Sequence, residues 1–150
     1  MKALLAASLL LIVASPQPTI PSALLGTWKV GRAYDTQGPT DLDEPKESKI
    51  KKSTIEIASD AIKVCGKTIP IKSTALSVMT YDQFATRYHI GANRIGLIYG
   101  GRITELVINS FELTHACGEF SDPGTDIIFD EQNHFAIQVD NAYYELKRAN

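Results

Sequence analysis

The sequence predicts a mostly β fold, an antiparallel meander that forms a small barrel or a sandwich. From Lys52 onward, short runs alternate apolar and polar residues with a period of two, as half-buried strands do. Polar connectors such as "SD", "GK" and "DEQN" separate these runs, and such residues favour tight turns. Helical patterns do not alternate with the runs. We therefore expect about nine or ten short strands that pair with their sequence neighbours.

The first predicted strand, "TWKVGRAY", places Trp28, Val30, Arg32 and Tyr34 on one face. The strands that follow are short and alternate in the same way. In order they are "STIEIA", "AIKVC", "TIPIK", "TALSVM", "RITELVI", "SFELTHAC", "TDIIF", "HFAIQV" and "YYELKR". Pro70 removes a ladder donor from "TIPIK", which predicts an edge or a bulge at that strand.

One helix is predicted over residues 81–89, in the stretch "MTYDQFATRYHI". Thr80 is a favourable N-cap, and Gln83 three residues later completes a capping box. Phe84 and Tyr88 are four residues apart and therefore lie on one helical face. We expect this helix to lie across the sheet or to close the bottom of the barrel.

Residues 1–18 predict a secretory signal peptide. Lys2 precedes an apolar run from Ala3 to Ala14, shorter than the roughly 20 residues that span a bilayer. A buried N-terminal helix is the alternative, although a globular helix would be amphipathic. The prediction is a secreted or periplasmic protein with a single domain, residues 19–150.

The two cysteines, Cys65 and Cys117, favour one disulfide bond. An even number of cysteines in an exported chain is typical of a bridge, and two free buried thiols are the alternative. The two positions are 52 residues apart. Closing a loop of that size stabilises a fold by about 4 kcal/mol in the chain-entropy description.

A long polar loop is predicted over residues 35–49, because prolines, a glycine and many charges leave nothing there to build a core. Loops of this length in compact domains are often functional lids, and an idle solvated insertion is the alternative. Leu42 is the large apolar residue of the loop, and it is a candidate lid contact.

No arrangement of side chains in the sequence indicates catalysis or metal binding. The three histidines lack the spacing of metal ligands, and neither a nucleophile elbow nor a phosphate loop is found. The acidic cluster Asp41, Asp43 and Glu44 lacks the glycine and spacing of a calcium loop. We therefore expect a protein that is not an enzyme, with no cofactor and no metal site.

The start "GTW" and the end "YYELKR" together resemble the lipocalins and their wider calycin relatives. In that family the tryptophan of a Gly-x-Trp motif sits at the closed end of the barrel, under a basic residue of the last strand. The resemblance assigns these roles to Gly26, Trp28 and Arg148, with Lys147 as the alternative cation. A guanidinium over an indole contributes about 0.5–2 kcal/mol. The helix predicted here falls in mid-chain, whereas the lipocalin helix follows the last strand.

The resemblance implies a carrier that holds a small apolar ligand in the barrel, with Tyr34, Leu42 and Tyr99 as candidate ligand contacts. The alternative is an inhibitor or immunity-type module that binds an exported hydrolase through the acidic loop at 35–49. An apolar cavity of about 300 Å³ or more would favour the carrier, and a packed interior would favour the inhibitor.

The remaining partner classes follow from charge and hydropathy. The formal net charge is −2, or −3 without Lys2, and no basic stripe is present, so we expect no nucleic-acid partner. Beyond the leader no segment is apolar enough to cross a membrane. We expect a monomer.

Overall fold

The structure is a computed structural model that describes residues 19–34, 43–98, 100–109, 117 and 125–150. Its strands form one antiparallel sheet, which confirms the prediction of a mostly β meander. The described residues contain nine strands, which are β1 (Gly26–Tyr34), β2 (Thr54–Ile57), β3 (Ala61–Val64), β4 (Lys67–Pro70), β5 (Ser73–Thr80), β6 (Arg102–Asn109), β7 (Asp126–Asp130), β8 (Phe135–Val139) and β9 (Ala142–Arg148). The strand predicted at 110–117 falls, except for Cys117, outside the described residues.

The sheet order is β4-β3-β2-β1-β9-β8-β7-β6-β5, so the first and last strands are central neighbours. Trp28 is directly opposite Arg148 in the β1–β9 register. The edge strands β4 and β5 are joined by only Ile71 and Lys72. Because consecutive Cα atoms are 3.8 Å apart, this link spans at most about 11 Å. The two edges therefore lie close together at that corner, and the sheet curls into a half-barrel.

Period-two alternation gives the sheet two apolar faces. On the inner face, side chains from strands at both ends of the sheet order meet in one cluster, which includes Trp28, Ile62, Leu106 and Ile127. The outer face carries a second cluster that includes Ile103 and Ile128 and lies under two helical segments. We call these the inner and outer clusters.

The helix predicted at 81–89 is present as α2 (Tyr81–Tyr88). The Thr80 side chain accepts from the Gln83 N–H, and the Gln83 side chain accepts from the Thr80 N–H, which completes the capping box. Phe84 is fully buried in the outer cluster and stacks on Tyr88 at 4.6 Å between ring centroids. His89 ends the helix in the left-handed conformation. Short 3-10 helices cover Ser22–Leu24 and Ala92–Ile95.

The prediction of a continuous loop over residues 35–49 is wrong in its second half. A helix, α1 (Glu44–Lys51), begins there at the N-cap Asp43, whose carboxylate accepts from the Lys46 N–H. Ile50 is fully buried in the inner cluster and holds this otherwise polar helix on the sheet. The sequence did not predict this helix because its single apolar residue, Ile50, lies just beyond the predicted loop. Residues 35–42 lie outside the described residues, so the lid stays a prediction.

The predicted disulfide bond between Cys65 and Cys117 is confirmed, with the two Cα atoms 5.4 Å apart. It ties the β3–β4 turn to a residue of the connection between β6 and β7. Over the part of the chain that the structure describes, no helix has both the length and the apolar character needed to cross a membrane.

Candidate functional site

The Trp28 side chain is held in place by a hydrogen bond to the main chain and by a cation–π contact. Its indole Nε1 donates to the Leu24 carbonyl at 2.8 Å, and the ring is 2 % exposed. The Arg148 guanidinium lies 4.6 Å from the ring centroid and donates to the carbonyls of Leu25 (2.9 Å) and Ala23 (2.8 Å). Phe135 meets the ring edge-on at 4.7 Å. The segment before β1, the indole and the last strand are thereby held as one unit.

Gly26 makes this arrangement possible. Its φ of +123° is a conformation that residues with a side chain rarely adopt, and a Cβ at this position would lie 2.8 Å from Arg148 Nη1. The guanidinium therefore occupies the space that any other residue would fill. The position of Arg148, near the far end of the sequence, therefore explains why the Gly-x-Trp start has a glycine.

A pocket of about 640 Å³ adjoins this unit and runs along β9. β1 from Trp28 to Tyr34, the β7–β8 turn and Gly96 form its other walls. Both aromatic and charged side chains line it. Its lining includes Trp28, Arg32, Tyr34, Asn133, His134, Phe135, Glu145, Lys147 and Arg148.

Cations outnumber carboxylates in this lining. Glu145 is shared between Lys147, at 3.1 Å, and Arg32, at 3.8 Å, so one carboxylate faces two cations. Arg148 adds a third positive charge, and among the described lining residues no further carboxylate offsets it. Both Arg32 and Lys147 are well exposed and can turn toward a ligand. The pocket therefore carries a net positive charge.

Tyr34 forms the wall opposite the β7–β8 turn. Burial raises the pKa of its hydroxyl, the negative charge of Glu145 adds to the rise, and Arg32 opposes it. The side chain fits tightly because Gly96 has no Cβ. One built there would lie 2.7 Å from the tyrosine Cζ. The phenol is therefore a neutral hydrogen-bonding group at physiological pH.

His134 brings a second polar group to the pocket. Its Nδ1 lies 2.9 Å from the Asp130 Oδ2, and its side chain is 48 % exposed, whereas that of Asp130 is 3 % exposed. An ionised carboxylate accepts hydrogen bonds only, so Nδ1 carries the proton in this contact. Nε2 is then available as an acceptor when the ring is neutral, or as a donor when it is protonated.

Asp130 is the better-satisfied member of this pair. Burial alone would raise the pKa of its carboxyl, but hydrogen bonds from the backbone N–H groups of His134, Ile98 and Gln132 and from the His134 ring lower it. The carboxylate therefore stays ionised and orients the ring. Sequence reasoning missed this pair. The residues "DEQN" indicate a turn, but they do not show that the backbone N–H of Ile98 would also donate to Asp130.

A further polar cluster lies on the outer face beneath the end of α2. Glu105 is 5 % exposed, accepts a hydrogen bond from the Tyr88 hydroxyl, and lies 3.4 Å from Arg87 Nη1. Burial and then Glu105 raise the pKa of Tyr88. Burial followed by Glu105 raises the pKa of Asp126, and burial, Asp126 and then Glu105 raise that of Tyr143. No spacing of residues in the sequence indicates this cluster, because its members come from four different elements.

The structure brings together some of the predicted site residues. Tyr34, Trp28 and Arg148 line one pocket, whereas Leu42 and Tyr99 lie outside the described residues. The pocket shares Trp28, Phe135 and Leu146 with the inner cluster, and polar and charged groups complete its lining. It therefore differs from the apolar barrel cavity that was expected for a carrier.

Among the described residues no three His, Cys, Asp or Glu side chains are grouped so that they could hold a metal ion. In the acidic cluster around Asp43, that carboxylate caps α1. No protein-family model, no curated protein and no solved structure matches the chain.

Proposed function

We propose that this is a secreted binding protein whose pocket along β9 takes a small, anionic, partly apolar ligand. The observation that carries the proposal is the composition of the lining, in which three cations and one carboxylate surround three aromatic rings. The aromatic walls favour an apolar body, and the excess positive charge favours a carboxylate or another acidic head group. His134 and Tyr34 supply oriented hydrogen-bonding groups.

The two exposed cations are the residues that would select the charge of the ligand. Arg32 and Lys147 already share Glu145, so an incoming anion gains two partners without the need to break a closed one-to-one pair. Arg148 is held by the carbonyls of Ala23 and Leu25 and by the indole. Its role is to fix the wall and to contribute a positive field.

The proposal keeps the small-molecule class implied by the lipocalin resemblance but changes the place and chemistry of binding. The indole–guanidinium pair at Trp28 and Arg148 supports a lipocalin-like architecture. The buried side chains of the inner cluster pack against one another, so the ligand is proposed to bind in the pocket along β1 and β9.

The protein-inhibitor alternative receives less support. It depended on an acidic loop at 35–49 that would bind a basic target. Residues 44–49 of that region belong to α1, whose three lysines outnumber its two glutamates, so α1 itself does not present an acidic surface. We therefore place the small-molecule proposal first.

Trp28 is the only tryptophan of the chain, and it lines the pocket, so its fluorescence reports directly on binding. The experiment titrates the protein with octanoate and, separately, with octylamine, below their micellar concentrations. These probes share an apolar chain and differ in charge. We expect octanoate to change the emission saturably and octylamine to bind at least about tenfold more weakly, since like charges oppose its entry.

Lys147→Gln and Arg32→Gln test the source of the selectivity, with Lys67→Gln on β4 as a control that removes the same charge far from the pocket. Each pocket variant should weaken octanoate binding by about tenfold, and the control should leave it unchanged. Equal binding of both probes, or an equal effect of Lys67→Gln, would reject the proposed pocket chemistry.

A further inference from the structure

The two edge strands of the half-barrel differ in how they are protected. β4 is four residues long and carries Lys67 and Pro70, both of which discourage the addition of another strand. β5 is eight residues long, and its sequence, "STALSVMT", contains no charge, no proline and no glycine. β5 therefore lacks the devices that protect β4.

β5 also presents apolar side chains to solvent. Val78 is 61 % exposed and Leu76 is 46 % exposed, and the two lie on the same face because they are two residues apart. One side of the strand pairs with β6 along its whole length, from Ser73 to Thr80. Over the described residues no strand pairs with its other side. An unpaired backbone edge and an exposed apolar pair thus coincide.

We propose that the β5 edge binds a second copy of this chain, so that the two β5 strands pair antiparallel across a two-fold axis. With Ser77 on the axis, Leu76 of one copy lies opposite Val78 of the other, and each such contact occurs twice. Thr74 lies opposite Thr80 in the same register. The arrangement covers all four exposed aliphatic side chains of the two strands with one another.

Charge complementarity favours a second copy as the occupant. The strand itself carries no charge, so self-pairing places no like charges opposite each other. Lys72 precedes the strand, and the exposed Asp82 lies in the first turn of α2, which follows it. The antiparallel register places the start of β5 in one copy beside its end in the other, so ends of opposite charge adjoin. A dimer also differs from the monomer that the sequence alone led us to expect.

Sedimentation velocity of the full protein over a wide concentration range measures the association. We expect a reversible monomer–dimer equilibrium. Val78→Lys should raise the dissociation constant by about tenfold or more, because it removes two apolar cross-strand pairs. Thr68→Lys, which adds the same charge to the exposed β4 edge, should leave the dissociation constant unchanged.

Cysteine cross-linking tests the register. Both native cysteines are already bridged, so a new thiol would be the only free one. Ser77→Cys should form a disulfide-linked dimer on mild oxidation. Ser73→Cys should not, because the two thiols would be separated by about 27 Å along the strands. A protein that stays monomeric at every concentration, a Val78→Lys variant that dimerises normally, or cross-linking through position 73 in place of 77 would each overturn the proposal.

Discussion

β7 has an aspartate at each end, and the surroundings of these two residues shift their carboxyl pKa values in opposite directions. Asp126 and Asp130 begin and end this strand, and they lie on the same outer face because they are four residues apart. The pKa of Asp126 is raised by burial and then by the negative charge of Glu105. The pKa of Asp130 is lowered, although burial opposes this, because hydrogen bonds from His134, Ile98 and Gln132 favour its charged form.

The more deeply buried of the two carboxylates is thus the one that ionises more readily. Asp130 is 4 % exposed, whereas Asp126 is only partly buried. Burial alone therefore does not decide the charge state on this face of the sheet. At Asp130 the hydrogen-bond donors outweigh burial, whereas at Asp126 burial is the larger cause and the negative charge of Glu105 adds to it.

Of the substitutions that test this comparison, Asp130→Asn should change the free energy of unfolding the most. The amide has one acceptor oxygen where the carboxylate has two, so backbone N–H groups of Ile98, Gln132 or His134 lose their partner while buried. We expect the free energy of unfolding at pH 7 to fall by about 3 kcal/mol, measured by urea denaturation. Asp126→Asn is the matched control at the other end of the strand. A loss below about 0.5 kcal/mol, the range of surface substitutions, would contradict the assigned role of Asp130.

Acid titration should show that the two aspartates contribute to the pH dependence of stability with opposite signs. The folded pKa of Asp130 is below its unfolded value, so its contribution is present above about pH 4 and is lost as pH falls toward the folded pKa. Asp126 has a raised folded pKa, so it favours the folded state at low pH, and that contribution is lost as pH rises through the folded pKa. In urea denaturation at a series of pH values, Asp130→Asn should flatten the acid loss, and Asp126→Asn should steepen it.

Asp126→Asn alone should have a small, stabilising effect at neutral pH. It removes a partly buried charge that is repelled by Glu105, and it keeps the shape of the side chain. We expect the free energy of unfolding at pH 7 to rise by less than about 1 kcal/mol. A clear loss of stability in the same urea experiment would mean that the Asp126 carboxylate makes a favourable contact in the folded state.

The smallest expected effect is the coupling between Asp126 and Glu105. In a Glu105→Gln background the repulsion is absent, so the gain from Asp126→Asn should shrink, by a few tenths of a kcal/mol. The carboxyl pKa of Asp126, followed by NMR, should also fall in Glu105→Gln. An unchanged pKa would assign its rise to burial alone.

Features that depend on residues close in sequence could be predicted from the sequence. The capping box at Thr80 and Gln83 and the alternation of the strands are local patterns, and both are present. The disulfide followed from the even number of cysteines together with the predicted leader. These signals require no knowledge of which distant elements meet.

The candidate site could be predicted only in part, because distant elements build it. Asp130 depends on a backbone N–H from Ile98, 32 residues away, and Glu105 depends on the end of α2. The charge of the pocket depends on Arg32 and Lys147 meeting at Glu145. The curl of the sheet and the β1–β9 register bring these residues into contact, and neither follows from the spacing of residues close in the sequence.

The central position of β9 has a consequence for the order in which the chain can fold. β1 to β4 and β5 to β9 are each made of strands that pair with their neighbours in the sequence, and β1–β9 is the pairing that joins the two groups. Such a long-range contact forms slowly because a large loop must close first. Until residues up to Arg148 have been synthesised, both β1 and the second group expose an unpaired edge. Chaperone binding or misassembly would act during that interval.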